Sequence, residues 1–252
     1  MPSLQHLNLY VPDYKLVDHP ALVLRHLTRV GLGPLEPCVA TEAILDKLDA
    51  GKVTSLQLNG SRSDNRDFCD LTFALPVLPK FTALQRLELE NCEADNVANG
   101  LGRGCTTSSL RYVKLWSVRI ADKHIPAVIE WLATAHKMQE LCWIGSTLAD
   151  LGATAIAHAL PRWMAGGLEK LDLSYNQIGD DGATMLAIAL AKGRNMYPLR
   201  VVLRKNAIKS SGANVLVRAL GACSKVHLDL HGLRVPPHVD EQLFELAAKH
   251  NV

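Results

Sequence analysis

The phrase Leu168-Glu-Lys-Leu171-Asp-Leu173-Ser-Tyr-Asn176-Gln-Ile178 constrains this chain more than any other feature. It has the form L-x-x-L-x-L-x-x-N-x-I and leads straight into an apolar helical stretch. Weaker copies stand on both sides of it. A unit of this kind cannot bury its apolar face alone, so repetition dictates a solenoid in which each unit packs only on its neighbours.

Paired apolar residues mark the strands: Leu7/Leu9, Leu56/Leu58, Leu87/Leu89, Val113/Leu115, Leu141/Trp143, Leu171/Leu173, Val201/Leu203 and Leu228/Leu230. From Leu56 onward they recur every 26 to 31 residues, which leaves room for a full helix between strands. Strand alternation sends each pair inward and its neighbours to the opposite face. The position three beyond the second inward residue is Cys92, Asn176 or Asn206, a side chain that can bond the turn backbone where no ladder partner exists. Helix starts follow in register. Asp122, Asp150, Asp180 and Ser210 each read as the N-cap of the helix they precede. The helix bodies are 125–135, 153–163, 183–192 and 213–220. Gly152-Ala153, Gly182-Ala183 and Gly212-Ala213 read as small residues that let each helix approach the strand layer.

The ends are less regular. Two helical stretches, 21–30 and 39–50, flank a breaker-rich segment from Gly31 to Pro37, so residues 1–52 form either one irregular unit or a degenerate pair. Residues 68–81, with Pro76 and Pro79, read as an irregular connection. The regular array spans 53–235, and after Pro236-Pro237 a last helix over 239–250 caps it within one repeat domain, 1–252. At Leu4–Leu9 a strand has nothing ahead of it. Either neighbouring helices shield it, or the chain continues upstream or docks on a partner there.

The stretch from Leu168 to Leu190 resembles the ribonuclease-inhibitor-like class of leucine-rich repeats, also seen in Ran GTPase-activating proteins and the sensor regions of NOD-like receptors. The likeness holds from about Leu110 to Leu230. It implies an α/β horseshoe of about eight repeats, with a parallel sheet on the concave face and helices on the convex face. It implies little about function, because such repeats serve unrelated partners.

Composition narrows the rest. With 27 basic and 25 acidic residues the net charge is +2, which provides no field for nucleic acid or a membrane surface. No apolar run approaches the roughly 18 residues that span a bilayer. Met1-Pro-Ser-Leu-Gln-His lacks a secretory n-region and h-region. Cys38, Cys69, Cys92, Cys105, Cys142 and Cys223 show no metal-ligand spacing and read as reduced thiols in a cytoplasmic or other reducing compartment. His227-Leu-Asp229-Leu-His231 faces one way, but its ends lie about 13 Å apart, too far for one ion. Gly100-Leu-Gly-Arg-Gly104 ends a helix instead of opening one and reads as a turn. Asp180-Asp181 complements a helix dipole. Catalytic, cofactor and metal sites are therefore expected to be absent, and a protein partner is expected.

The expected binding surface is the concave face, centred on Tyr112, Lys114, Trp116, Glu140, Asp172, Tyr175 and Arg204. Tyr, Trp and Arg are the types that dominate interface energetics. The favoured role is a non-catalytic adaptor, inhibitor or scaffold subunit. The alternatives are a GTPase-activating regulator, which would need an arginine on a rim loop (Arg62, Arg103 and Arg119 lie near such loops), and a structural subunit docking through its N-terminal edge or convex helices.

Overall fold

A computed structural model describes residues 6–9, 27–35, 44–60, 69–70, 78–94, 108–223 and 225–233. They fall into two compact units, Met1–Ala135 and His136–Val252. Both are built as an α/β solenoid, the fold class that the repeat spacing predicts. In the first unit β1 (His6–Leu9), β2 (Arg29–Leu35), β3 (Ser55–Gly60), β5 (Arg86–Glu93) and β6 (Tyr112–Arg119) lie side by side, all parallel, and the short β4 (Cys69–Asp70) adds to β5. After β6 comes α1 (Ile125–Leu132). In the second unit β7 (Glu140–Ile144), β8 (Lys170–Asp172), β9 (Leu199–Val202) and β10 (Val226–Asp229) form a parallel sheet in chain order. Between them run α2 (Asp150–Gly166), α3 (Asp180–Lys192) and α4 (Ser210–Leu220).

The inward pairs behave as alternation requires. Leu56, Leu58, Leu87, Leu89, Val113, Leu115, Leu141, Trp143, Leu171, Leu173, Val201 and Leu203 are all buried. In the second unit the helix residues Ile156, Leu160, Trp163, Leu186, Leu190 and Leu216 are buried as well. Each such side chain contributes about 1.5–3 kcal/mol on leaving water.

The N-terminal third departs from the expectation at one element. Arg29–Leu35 is not the end of a helix followed by breakers but a strand, paired on one side with β1 and on the other with β3. Among the described residues, 1–52 therefore contain two strands, β1 and β2. Val30 and Leu32 are buried, and this alternation outweighs the glycines. Where β2 leaves Leu32 its register with β3 shifts. Gly33 lies so close to β3 that a Cβ there would stand 2.7 Å from the Asn59 Cβ. Glycine admits that approach, and Pro34 sits in the irregularity, the place where a strand tolerates a missing amide. Nine strands thus take the repeat position among the described residues, against the eight paired motifs in the sequence. Residues 44–47 are helical, as expected for 39–50, and Leu78–Lys80 form a 3-10 turn. The capping helix at 239–250 and the Gly100–Gly104 turn lie outside the described residues.

The helix starts also differ from the expectation. None of Asp122, Asp150, Asp180 and Ser210 caps its own helix; each is the first residue of its helix, and Ala121, Ala149, Gly179 and Lys209 stand at the N-cap with no side-chain bond. Asp150 instead reaches across to the next repeat. Its Oδ1 accepts the amides of Gly179 at 2.6 Å and Gly182 at 3.0 Å, at the start of α3. Asp180 does the same one repeat later, accepting from Lys209 at 2.8 Å, Gly212 at 3.1 Å and the Ser211 hydroxyl at the start of α4. Burial works against ionisation of Asp180, but these three donors outweigh it and hold its carboxyl below the usual range. The orphan amides of one helix are thus satisfied by the helix before it.

The turn asparagines act across repeats as well. Asn176 Oδ1 accepts the amides of Ser146 (3.0 Å) and Leu148 (3.1 Å), while its Nδ2 donates to the carbonyls of Trp143 (2.6 Å) and Leu173 (3.1 Å). Asn206 repeats the pattern, taking the Ile178 amide at 3.1 Å and donating to the Leu173 carbonyl at 2.8 Å. To turn these side chains inward the preceding residue adopts a left-handed backbone. Asn91, Ser117, Gly145, Tyr175 and Lys205 all have φ between 51° and 63° and precede Cys92, Val118, Ser146, Asn176 and Asn206 in register.

Candidate functional site

The sheet face opposite the helices carries the outward residues of each strand. In the first unit β5 and β6 set Arg86 beside Tyr112, Glu88 beside Lys114 and Glu90 beside Trp116. Lys114 reaches diagonally, placing its Nζ 2.6 Å from Glu90 Oε1 and 4.7 Å from the centre of the Trp116 ring. The Arg86 guanidinium covers the Tyr112 ring at 4.7 Å and pairs with Glu88 at 3.0 Å. Each contact is worth little alone, about 0.5–1 kcal/mol for an exposed cation–π or ion pair. Their effect is to fix rotamers. Trp116 is half exposed (50%) yet held from below by a lysine that is itself anchored.

In the second unit the strand register lays out two rows. Glu140, Lys170, Arg200 and His227 stand side by side on β7 to β10, and Cys142, Asp172, Val202 and Asp229 form the next row. Asp172 accepts the Ser174 hydroxyl at 2.6 Å and pairs with Lys170 at 3.5 Å. Arg204 clamps one oxygen of Asp229 through Nε (2.8 Å) and Nη2 (2.5 Å), and Arg200 approaches the same oxygen at 3.4 Å. The other oxygen accepts the His231 amide. The Arg204 hydrogen bonds bring the Asp229 pKa down to about 2, against the opposing effect of burial. Cys142 is buried within the second row, and burial pushes its thiol pKa up. Burial alone would lower the Lys170 pKa, but Cys142 and Asp172 beside it more than offset this and raise it. Tyr175, 61% exposed, stands at the strand exit with its amide bonded to the Arg204 carbonyl at 2.8 Å.

The structure thus places Tyr112, Lys114 and Trp116 in one cluster of the first unit. In the second, Asp172 ends β8, Tyr175 and Arg204 lie just past the ends of β8 and β9, and Glu140 starts β7. Arg86 and Arg200 were missed by the sequence reading. Both flank an inward residue, Leu87 and Val201, and strict alternation would have found them. Cys142 was missed because its own row buries it. Among the described residues no group of His, Cys, Asp and Glu could hold a metal ion, and no helix is long and apolar enough to cross a membrane.

One family model matches the sequence, described as a leucine-rich repeat, over residues 168–187, from the approach to β8 into α3. The match falls on the repeat whose strand, asparagine turn and helix are described above. Residues 168–187 are thus a leucine-rich repeat, and the fold is that of a leucine-rich repeat solenoid. No curated protein sequence matches it.

The leucine-rich repeat array is expected to lose stability in acid in a way that maps to Asp229 and Asp180. Both have folded pKa values below the unfolded value of 3.8, so the unfolded chain takes up protons first. Their contribution is complete well above that value and is lost as pH falls toward about 2. Thermal melts from about pH 6 downward should show a steepening fall in midpoint below about pH 4. In Asp229→Asn the melting midpoint should start lower near neutral pH and fall less steeply; an unchanged acid slope would contradict the clamp.

Proposed function

We propose that this protein is a non-catalytic interaction module that holds a protein partner against the open face of its sheet. The observation that carries this reading is Trp116, half exposed on that face and fixed by Lys114 and Glu90. A rigid, exposed aromatic costs little entropy on binding, and tryptophan is the commonest hot-spot residue. Tyr112, Lys114 and Trp116 would form one anchor, and Glu140, Asp172, Tyr175 and Arg204 a second. Leucine-rich repeat domains generally bind proteins, and the Cys92, Asn176 and Asn206 positions support a ribonuclease-inhibitor-like repeat class.

The test is face-resolved photo-cross-linking in native extract. A benzophenone amino acid is placed at Trp116, at Tyr175, or at Ile188, which is exposed on helix α3. Adducts of defined mass are expected from positions 116 and 175. Adducts arising from position 188 alone would move the binding surface to the helices and refute the reading.

A further inference from the structure

The β5–β6 and β9–β10 pairs differ in how their open faces are charged, while β7 and β8 carry Glu140, Lys170 and Asp172. On β5 and β6, Arg86, Lys114 and Arg119 stand against Glu88, Glu90 and Glu93, an even balance. On residues 199–206 and 225–231, which comprise β9, β10 and their flanks, Arg200, Arg204, Lys205 and Lys225 stand against Asp229 alone, with His227 and His231 beside them.

Asp229 is already engaged on both oxygens. One oxygen is shared by two guanidiniums and the other takes a backbone amide. Arg204 spends two of its five donors there, and Arg200 makes one long contact while its side chain stays 58% exposed. Both guanidiniums converge on a single oxygen, and the Arg204 side chain too stays 44% exposed. Lys205 is steadied nearby: its stem packs against Gly232 so closely that a Cβ there would lie 2.8 Å from Lys205 Cε. Tyr175 flanks the spot through its bond to the Arg204 carbonyl. A pair of guanidiniums sharing one carboxylate that is engaged on both oxygens complements further carboxylates.

We propose that the β9–β10 end of the open face binds an acidic segment of a protein partner, with Arg200 and Lys205 as the main recognition residues; this rests on the open-face reading above. Arg204 holds Asp229 and positions Arg200. Tyr175 supplies an apolar flank for the segment's side chains.

The test uses the full chain and fluorescence anisotropy with three labelled probes: a peptide of alternating Glu and Ala, its Lys–Ala counterpart, and single-stranded oligothymidylate. The Glu peptide is expected to bind at about 50 mM salt and to weaken as salt rises, while the Lys peptide does not bind. The double variant Arg200→Glu/Lys205→Glu should bind it roughly tenfold more weakly or worse. The neutral pair Arg200→Gln/Lys205→Gln serves as a milder second variant with the same direction of effect. Arg218→Glu, exposed on α4, should change nothing. No binding of the Glu peptide, equal binding of the Lys peptide, or full binding by both double variants would overturn the proposal. Tighter binding of the oligonucleotide would do so too, by showing a site for any polyanion. Cross-links from positions 116 and 175 without peptide binding would leave the open face standing and remove only its acidic specificity. Peptide binding with cross-links from position 188 alone would do the reverse.

Discussion

Replacing Asn176 with alanine is expected to destabilise the protein by about 4 kcal/mol, the largest effect of any polar substitution considered. The side chain is buried and satisfies groups in two repeats at once. Alanine would take from the buried Ser146 and Leu148 amides the acceptor that they share. Each buried amide so stranded costs about 1–3 kcal/mol. The Trp143 carbonyl also loses its 2.6 Å donor, whereas the Leu173 carbonyl keeps the one from Asn206. Asn176→Asp should not rescue, since it keeps the acceptor, removes both donors and buries a charge. Urea unfolding followed by circular dichroism reads the effect as a fall in midpoint. A loss below about 1 kcal/mol would mean that the asparagine does not join the repeats.

What the sequence disclosed, and what it did not, follows from how far each interaction reaches. Leu171 and Leu173 declare a strand because alternation is local, and Asn176 declares a turn for the same reason. The partners of Asn176 in the neighbouring repeat are 28 to 33 residues away, so the residue is legible while those bonds are not. The N-cap expectation failed on the same ground. Asp150 carries every mark of a cap for the helix it begins, but stacking offsets successive helices so that its carboxylate meets Gly182 instead. Arg29–Leu35 was hidden differently, because Gly31, Gly33 and Pro34 mark a break in any local reading. Pairing on both sides restores the strand, and that is a property of β1 and β3. On the candidate surface, Trp116 and Tyr175 could be read as outward residues. The pinning of Lys114 by Glu90 and the sharing of Asp229 by two arginines depend on strand register, which no single strand contains.

The cap relay between repeats makes its own quantitative demand, testable with a double-mutant cycle on Asp150 and Gly182. Asp150→Ala strips the acceptor from the Gly179 and Gly182 amides and should cost about 1–2 kcal/mol, as loss of a helix cap does. Gly182→Ala should cost more, about 3 kcal/mol, although alanine is the better helix former by about 1 kcal/mol. The added Cβ would lie 2.6 Å from Asp150 Oδ1, 2.9 Å from the Ala153 Cβ and 3.0 Å from the Ile178 Cγ2. It therefore expels the capping carboxylate and crowds two buried side chains. In the double variant the carboxylate is already gone, so that part of the clash and the whole of the lost cap are counted once. The double variant should then be more stable than the sum of the single losses by about 1 kcal/mol or more. The pair Asp180 and Gly212 has the same geometry, with 2.6 Å between the Asp180 Oδ1 and a Cβ at 212, and should show coupling of the same sign. Strictly additive losses in both cycles would show that the glycines answer only to packing against the preceding helix, and that the aspartates are ordinary first-turn acids.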